Sequence, residues 1–187
     1  MILHALVNDV DVARAAIEGG ATHIQLRLKD VPTFQRIEQG GPYRDLCRRS
    51  GVCFFLNDDV DAALTLGADG VHLGGEDSGI ERARDAGLQI GLSAQTLEEA
   101  LEADHEHPDY LGVGPIWSTP IKPGVPALGL EGLHEVCESV ATPVVAIGGI
   151  DATNAALCIE AGAVGVAVVR AATNAGSVRT ALERAAV

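Results

Sequence analysis

Residues 57–73 read NDDVDAALTLGADGVHL: an Asn-Asp-Asp opening, a helix-period run from Val60 to Leu66, a Gly67-Ala68 stop and a short β-branched segment from Gly70 to Leu73. Helix, tight turn and strand follow one another with no linker. The same grammar recurs towards both ends of the chain, in EGGATHIQL (18–26) and EAGAVGVAV (160–168), where Gly-Ala again stands at a helix end shortly before a strand. Glycine ends a helix because it enters the left-handed conformation without a Cβ penalty, and the spacing leaves room only for a tight turn. Three copies of one unit predict a repeating strand–helix architecture.

Working outward, eight short apolar runs qualify as strands: Ile2 to Leu6, His23 to Leu28, Val52 to Leu56, Gly70 to Leu73, Gln89 to Leu92, Tyr110 to Val113, Pro143 to Ile147 and Gly165 to Val169. Between them lie patterns such as VDVARAAIEGG, TLEEALEADHE and TNAALCIEAGA, with apolar residues at helical spacing. Alternation of this kind implies right-handed crossovers and a parallel sheet, hence an α/β fold. Eight units close into a (β/α)8 TIM barrel more readily than they extend an open doubly wound sheet, which is the alternative. The 187 residues read as one domain, 1–187, somewhat short for such a barrel, so its helices and loops must be short.

Composition agrees. Hydrophobic residues make up 47% and aromatics only 3%, so the interior must be built from Ala, Val, Leu and Ile. Lys plus Arg number 13 against 26 Asp plus Glu, a net charge of −13 that repels nucleic-acid backbones and anionic membrane surfaces. An anionic ligand then requires a few cations and backbone N–H groups focused in one cleft. Cys47, Cys53, Cys137 and Cys158 form no CxxC pair and read as reduced thiols. The opening MILHALVNDVDVARA has no basic region followed by a sustained apolar run, so a cytoplasmic location is expected.

Barrel chemistry belongs where strands end. After the second strand, period-two alternation sends Gln25, Arg27 and Lys29 to one side and Leu26 and Leu28 to the other. Two inward cations need an anion, either a ligand or a carboxylate such as Asp30 or Glu160. The third strand ends in Asn57-Asp58-Asp59 and the fourth in His72-Leu73-Gly74-Gly75-Glu76-Asp77. Carboxylates from adjacent strands could converge on Mg²⁺, which takes one or two of them and completes its shell with water and phosphate oxygens. The competing reading is that Asp58 or Asp59 caps the next helix and Asp77 the one after. His72 reads as a packed barrel residue. Ser93 ends the fifth strand without a His-Asp arrangement that would make it a nucleophile, and so reads as a hydrogen-bonding group, with Thr96 as a helix cap.

The longest loop, Gly114 to Gly129, carries Trp117, Thr119 and Lys122 and reads as a lid or clamp, with Trp117 as an alternative anchor. Gly148-Gly149 and Val169-Arg170 end the last two strands. Glycines there let backbone N–H groups approach an anion, at the recurrent phosphate site of these barrels. The Arg170 guanidinium suits a phosphate, or else a surface ion pair.

Taken together, QLRLK, NDDVDAALTLGADGVHLGGED, GLSAQTLEEA, DYLGVGPIWSTPIKP and VVAIGGIDATNAALCIEAGAVGVAVV resemble the thiamine-phosphate synthase family in order and spacing, from Ile2 to about Ala172. The resemblance implies an eightfold barrel transferase that joins a 4-amino-2-methyl-5-(diphosphooxymethyl)pyrimidine to a thiazole phosphate and releases pyrophosphate. It implies that Gln25, Leu26, Arg27, Leu28, Lys29, Asn57, Ser93 and Lys122 bind the pyrimidine diphosphate, that Asp58 and Asp77 hold Mg²⁺, and that Thr119, Gly149, Val169 and Arg170 face the thiazole phosphate. Arg27, Lys29, Ser93 and Lys122 would carry catalysis. Three positions depart from the family pattern: Ile121 stands where a Thr is usual, Gly75 where a Gln is, and Arg170 where a Ser is. The related thiazole tautomerases carry a His where this chain has Pro115, and a non-catalytic phospho-ligand barrel would not need the metal pair; both are alternatives to the synthase.

Overall fold

The structure, a computed structural model, describes residues 1–75, 77–121 and 124–185. Its strands are β1 (Ile2–Val7), β2 (His23–Leu26), β3 (Cys53–Asn57), β4 (Gly70–Leu73), β5 (Gln89–Ala94), β6 (Tyr110–Val113), β7 (Val144–Ile147) and β8 (Gly165–Val168). Helices follow each in turn: α1 (Val10–Glu18), α2 (Thr33–Ser50), α3 (Val60–Leu66), α4 (Ile80–Asp85), α5 (Leu97–Asp104), α6 (Gly129–Ser139), α7 (Ala155–Glu160) and α8 (Ala175–Ala185). Spatial order equals chain order, every pairing is parallel, and β1 pairs with β8 with Ile2 opposite Gly165, so the sheet closes into a (β/α)8 barrel.

The repeated Gly-Ala stop has one structural meaning at all three places. The N–H groups of Ala21, Ala68 and Ala163 donate to the carbonyls of Ala16, Ala63 and Cys158 at 2.9, 2.9 and 3.0 Å, each satisfying a helix-end carbonyl as the chain turns into the next strand. At the other end of α3, Asp59 caps the helix by accepting from the Ala62 N–H at 2.9 Å.

Two features differ from the sequence expectation. The second strand stops at Leu26 rather than Leu28: Arg27 N–H makes a last ladder bond to the Val7 carbonyl at 2.9 Å. The Leu28 carbonyl then turns away to accept from the Arg36 guanidinium at 3.3 and 3.4 Å. Helix α2, with 18 residues and Pro42 inside it, is far longer than the other seven helices and carries little amphipathic pattern, so periodicity does not reveal it.

The core has two layers. Aliphatic residues such as Leu3, Ile24, Leu56, Leu111 and Val166 pack the outside of the sheet against the helices. Inside the barrel, Leu6, Phe55, Tyr110, Val145 and Ala167 form a separate cluster. Large rings fit there because the strands facing them lack side chains: a Cβ on Gly70 would lie 2.3 Å from Phe55, and one on Gly91 2.2 Å from Tyr110. Phe55 meets His4 and Tyr110 edge-on at centroid distances of 5.3 and 6.0 Å, and the His4 and Tyr110 rings lie tilted at 5.7 Å. His4, Leu6 and Tyr110 also line the space above, so this plug is the floor of a cavity open at the C-terminal ends of the strands.

Candidate active site

The cavity measures about 800 Å³, a size that suits small-molecule ligands. Gln25, Arg27 and Lys29 line one wall, with Asn57 and Asp58 beside them. Asp77 and Ser93 continue the ring, and Thr119, Gly149, Val169 and Arg170 close it on the far side. Leu26 and Leu28 are not among the lining residues: Leu26 is buried between sheet and helices, and Leu28 packs against that same cluster. Their side chains are therefore corrected to packing roles, as the odd–even alternation of a strand requires. Lys122 lies outside the described residues.

The carboxylates separate by role. Asp59 is the cap, and it also takes Arg36 in a largely buried ion pair at 2.9 Å. Burial works to raise the Asp59 carboxyl, but the Ala62 N–H and the Arg36 guanidinium outweigh it and hold the group below its usual range. Asp58 is instead held at φ 65°, with its N–H donating to the His72 carbonyl at 2.8 Å. Asp is among the few residues that adopt this left-handed conformation readily, and it lets Asp58 line the cavity next to the capping Asp59. Asp58 accepts from Lys29 Nζ at 2.6 Å, so the partner of Lys29 is neither Asp30 nor Glu160.

Asp77 does not cap the helix that follows, whose N-cap is Gly79; its Oδ2 accepts from the Gly74 N–H at 2.6 Å. The Asp77 carboxyl is pushed above its usual range by burial, with the charge of Asp58 adding to the shift and the Gly74 N–H and Lys29 opposing it. Two carboxylates from adjacent strands thus lie close to one another in the cavity, with the Lys29 ammonium acting on both. Hard oxygen donors in that state fit a divalent cation such as Mg²⁺, which accepts one or two carboxylates and leaves its remaining positions to water and ligand oxygens.

His72 is more than packing. Its ring stacks on Tyr110 at 5.5 Å, its Nδ1 lies 2.9 Å from the Tyr110 hydroxyl, and its Nε2 lies 2.9 Å from Ser93 Oγ. The Tyr110 phenol is driven far above its ordinary pKa by burial first and by Asp109 second, so it keeps its proton. A protonated phenol can donate to Nδ1, which leaves Nε2–H for the Ser93 oxygen and the Ser93 hydroxyl proton for a ligand.

On the far side, the β6–α6 loop is tied down to the end of β7. Ile116 N–H donates to the Ile147 carbonyl at 3.0 Å and Trp117 N–H to the Gly148 carbonyl at 3.1 Å, so Trp117 does anchor the loop. Gly148 and Gly149 have φ of 99° and 70°, and a Cβ on either would lie 2.5 or 2.6 Å from Pro115 or Trp117. Glycine is required there by both conformation and space. Arg170 opens a short 3₁₀ turn, Arg170–Asn174, at the exposed rim. The carboxyl of Asp151 opposite is lowered mainly by hydrogen bonds from Thr153, with a smaller contribution from Arg170.

Sequence reading missed His4, Tyr110 and Arg36. The period-two pattern of β1 places His4 and Leu6 on one face and could have revealed His4; nothing local marks Arg36, whose partners come from β2 and β3. His4 is 1% exposed, and its pKa is held well below the ordinary 6.5 by burial first and by His23 and His72 second. The neutral form is therefore bound into the fold. As pH falls below about 6.5 the unfolded chain takes up a proton that folded His4 refuses, so stability present above that pH is lost on acidification, by at most about 1.4 kcal/mol per pH unit for this group. Urea denaturation at stepped pH should show that decline, and His4→Gln should flatten it; equal slopes in the two proteins would contradict the assignment.

Closed barrel, polar mouth and paired carboxylates together define a βα-barrel enzyme whose chemistry lies at the C-terminal ends of its strands. The chain belongs to the thiamine monophosphate synthase family, whose model matches residues 3–172. It is 47% identical over 177 residues to a thiamine-phosphate synthase of Pyrococcus furiosus, covering 94% of this chain and 86% of that one. It is 48% identical over 173 residues to a thiamine-phosphate synthase of Chloroflexus aurantiacus, covering 91% and 80%. The solved structure of a thiamine phosphate pyrophosphorylase from Pyrococcus furiosus superposes with a TM-score of 0.90 at 40% identity, over 98% of this chain and 96% of that one.

Proposed function

We propose that this chain is a thiamine-phosphate synthase, joining a 4-amino-2-methyl-5-(diphosphooxymethyl)pyrimidine to a thiazole phosphate with release of pyrophosphate. The observation that carries the reading is the convergence of Gln25, Arg27, Lys29, Asn57, Asp58, Asp77 and Ser93 on one face of the cavity, in a family member 47% identical to a protein of that name. Mere phosphate binding does not call for a carboxylate pair.

In this reading the protein supplies no nucleophile. The C–O bond between the pyrimidine methylene and the diphosphate breaks with both electrons leaving on pyrophosphate, and the thiazole nitrogen donates its pair to the electron-poor methylene. Arg27 and Lys29, with Lys122 by resemblance, stabilise the charge that grows on the departing diphosphate. Ser93, oriented by His72, donates a hydrogen bond to the same region. Asp58 and Asp77 are the residues that would hold Mg²⁺, whose chemistry is charge neutralisation on diphosphate oxygens. The loop tied to Gly148 and Gly149, with Thr119 and Val169, would bind the thiazole phosphate.

Arg170 compensates in this scheme for the hydroxyl that Ile121 lacks. Arg170→Ala should then raise the KM for the thiazole phosphate by roughly tenfold, the size of one charge-assisted hydrogen bond, with the KM for the pyrimidine diphosphate unchanged. An unaltered thiazole-phosphate KM would refute the compensation. The reading itself is tested by mixing both substrates with Mg²⁺ and measuring pyrophosphate and thiamine phosphate: absence of product at saturating substrates sinks it, and isomerisation of a thiazole carboxylate phosphate alone would favour a tautomerase.

A further inference from the structure

We propose that Asn154 is a positioning residue for the turn after β7: its side-chain amide clamps the Gly149–Ile150 peptide so that the Ile150 N–H, beside that of Gly149, is presented to a phosphate monoester. Asn154 stands at the N-cap of α7, where an Asn ordinarily accepts from an N–H of its own helix, yet it makes no such bond. It reaches back instead. Its Oδ1 accepts from the Asp151 N–H at 2.9 Å, and its Nδ2 donates to the Gly149 carbonyl at 2.9 Å. A backbone N–H can only donate and a backbone carbonyl can only accept, so the main chain alone fixes the sense of this amide.

The clamp completes a set of held carbonyls. Trp117 N–H takes the Gly148 carbonyl at 3.1 Å and Asn154 takes the next one, on Gly149. A planar trans peptide carries its N–H antiparallel to its carbonyl. The first contact therefore turns the Gly149 N–H away from the β6–α6 loop, and the second turns the Ile150 N–H away from α7. Gly148, Gly149, Ile150 and Asp151 all line the cavity. Among the described residues, the N–H groups of Gly149 and Ile150 donate to no protein acceptor. Two successive N–H groups left over in a turn with positive φ at Gly148 and Gly149 suit an anion. The Asp151 carboxylate, which a phosphate would repel, has its Oδ1 engaged by the Thr153 N–H and hydroxyl at 2.8 and 2.6 Å.

That the phosphate belongs to a thiazole rests on the synthase reading; the anion-binding turn does not, and two measurements keep them apart. Inorganic phosphate is titrated into ¹⁵N-labelled protein without substrates, and the Gly149 and Ile150 amide resonances should move. The variant is Asn154→Ser, because Ser caps a helix as well as Asn does but one hydroxyl cannot bridge both groups, so α7 and Tm should be kept. Its apparent Kd for phosphate at those two amides should rise roughly three- to tenfold, the effect of one hydrogen bond. In turnover, the KM for the thiazole phosphate should rise by the same factor, with kcat and the KM for the pyrimidine diphosphate unchanged. Inhibition by the unphosphorylated thiazole alcohol should also stay at its wild-type strength. Unmoved Gly149 and Ile150 amides in the wild type, a wild-type phosphate Kd in Asn154→Ser, or an equal rise in both KM values overturns the proposal. Phosphate-shifted amides that weaken in Asn154→Ser, in a wild type that makes no thiamine phosphate, would sink the synthase reading and uphold the clamp.

Discussion

Asp58→Asn should lower kcat by roughly 10²–10³-fold, the scale seen when a charge-stabilising group of an active site is removed, with little change in fold. The substitution is chosen for the backbone: Asp58 has φ 65°, which Asn adopts as readily as Asp, so the β3–α3 turn and the Asp58 N–H bond to the His72 carbonyl are kept. What is lost is one negative charge out of a close pair and the partner of Lys29 Nζ at 2.6 Å. That ion pair contributes under about 1 kcal/mol, since Lys29 is 47% and Asp58 22% exposed. A small change in Tm beside a large loss of turnover would therefore separate a metal-holding role from a structural one. Titrating Mg²⁺ sharpens the result, because the variant should need much more of it; wild-type turnover with an unchanged Mg²⁺ requirement would remove Asp58 from the proposed metal pair.

Gly149→Val should disable the other half of the site. At φ 70° a β-branched residue is strained by about 1–2 kcal/mol, and its Cβ would start 2.6 Å from the Trp117 Cβ. The Trp117 N–H bond to the Gly148 carbonyl holds the loop against the end of β7, and the Gly149 carbonyl is itself taken by Asn154 Nδ2 at 2.9 Å. Relief can come only by displacing that loop, and with it Thr119. The expected outcome is a rise of at least about tenfold in the KM for the thiazole phosphate, with pyrimidine diphosphate binding close to normal, measured by separate titrations of the two substrates. An equal loss for both would place Gly149 in the general stability of the barrel and not in one subsite.

Much of the site can be read without tertiary information because barrels deliver chemistry at a predictable place. Gln25, Arg27, Asn57, Asp58, Asp77, Ser93, Gly149 and Arg170 all stand at or just past a strand end, and all line one cavity. What local reading left open, the tertiary structure separates for physical reasons. Leu26 and Leu28 lie between cavity residues in sequence and point the opposite way, because side chains on an extended backbone alternate. Asp58, Asp59 and Asp77 are equally acidic as letters. The positive φ of Asp58 and the Ala62 and Gly74 N–H groups decide which of them caps a helix and which line the mouth.

The Gly-Ala helix stops, the strict alternation of strand and helix and the aliphatic composition determine an eight-unit parallel barrel locally, since each turn forms within its own repeat and asks nothing of the rest of the chain. The polarity of the barrel floor is not local. His4 and Gln25, 21 residues apart, meet only because β1 and β2 pair in one register, and His72, Ser93 and Tyr110 come from three successive strands. Donor and acceptor roles there depend on which buried group faces which across the closed sheet, and closure is a property of all eight strands together.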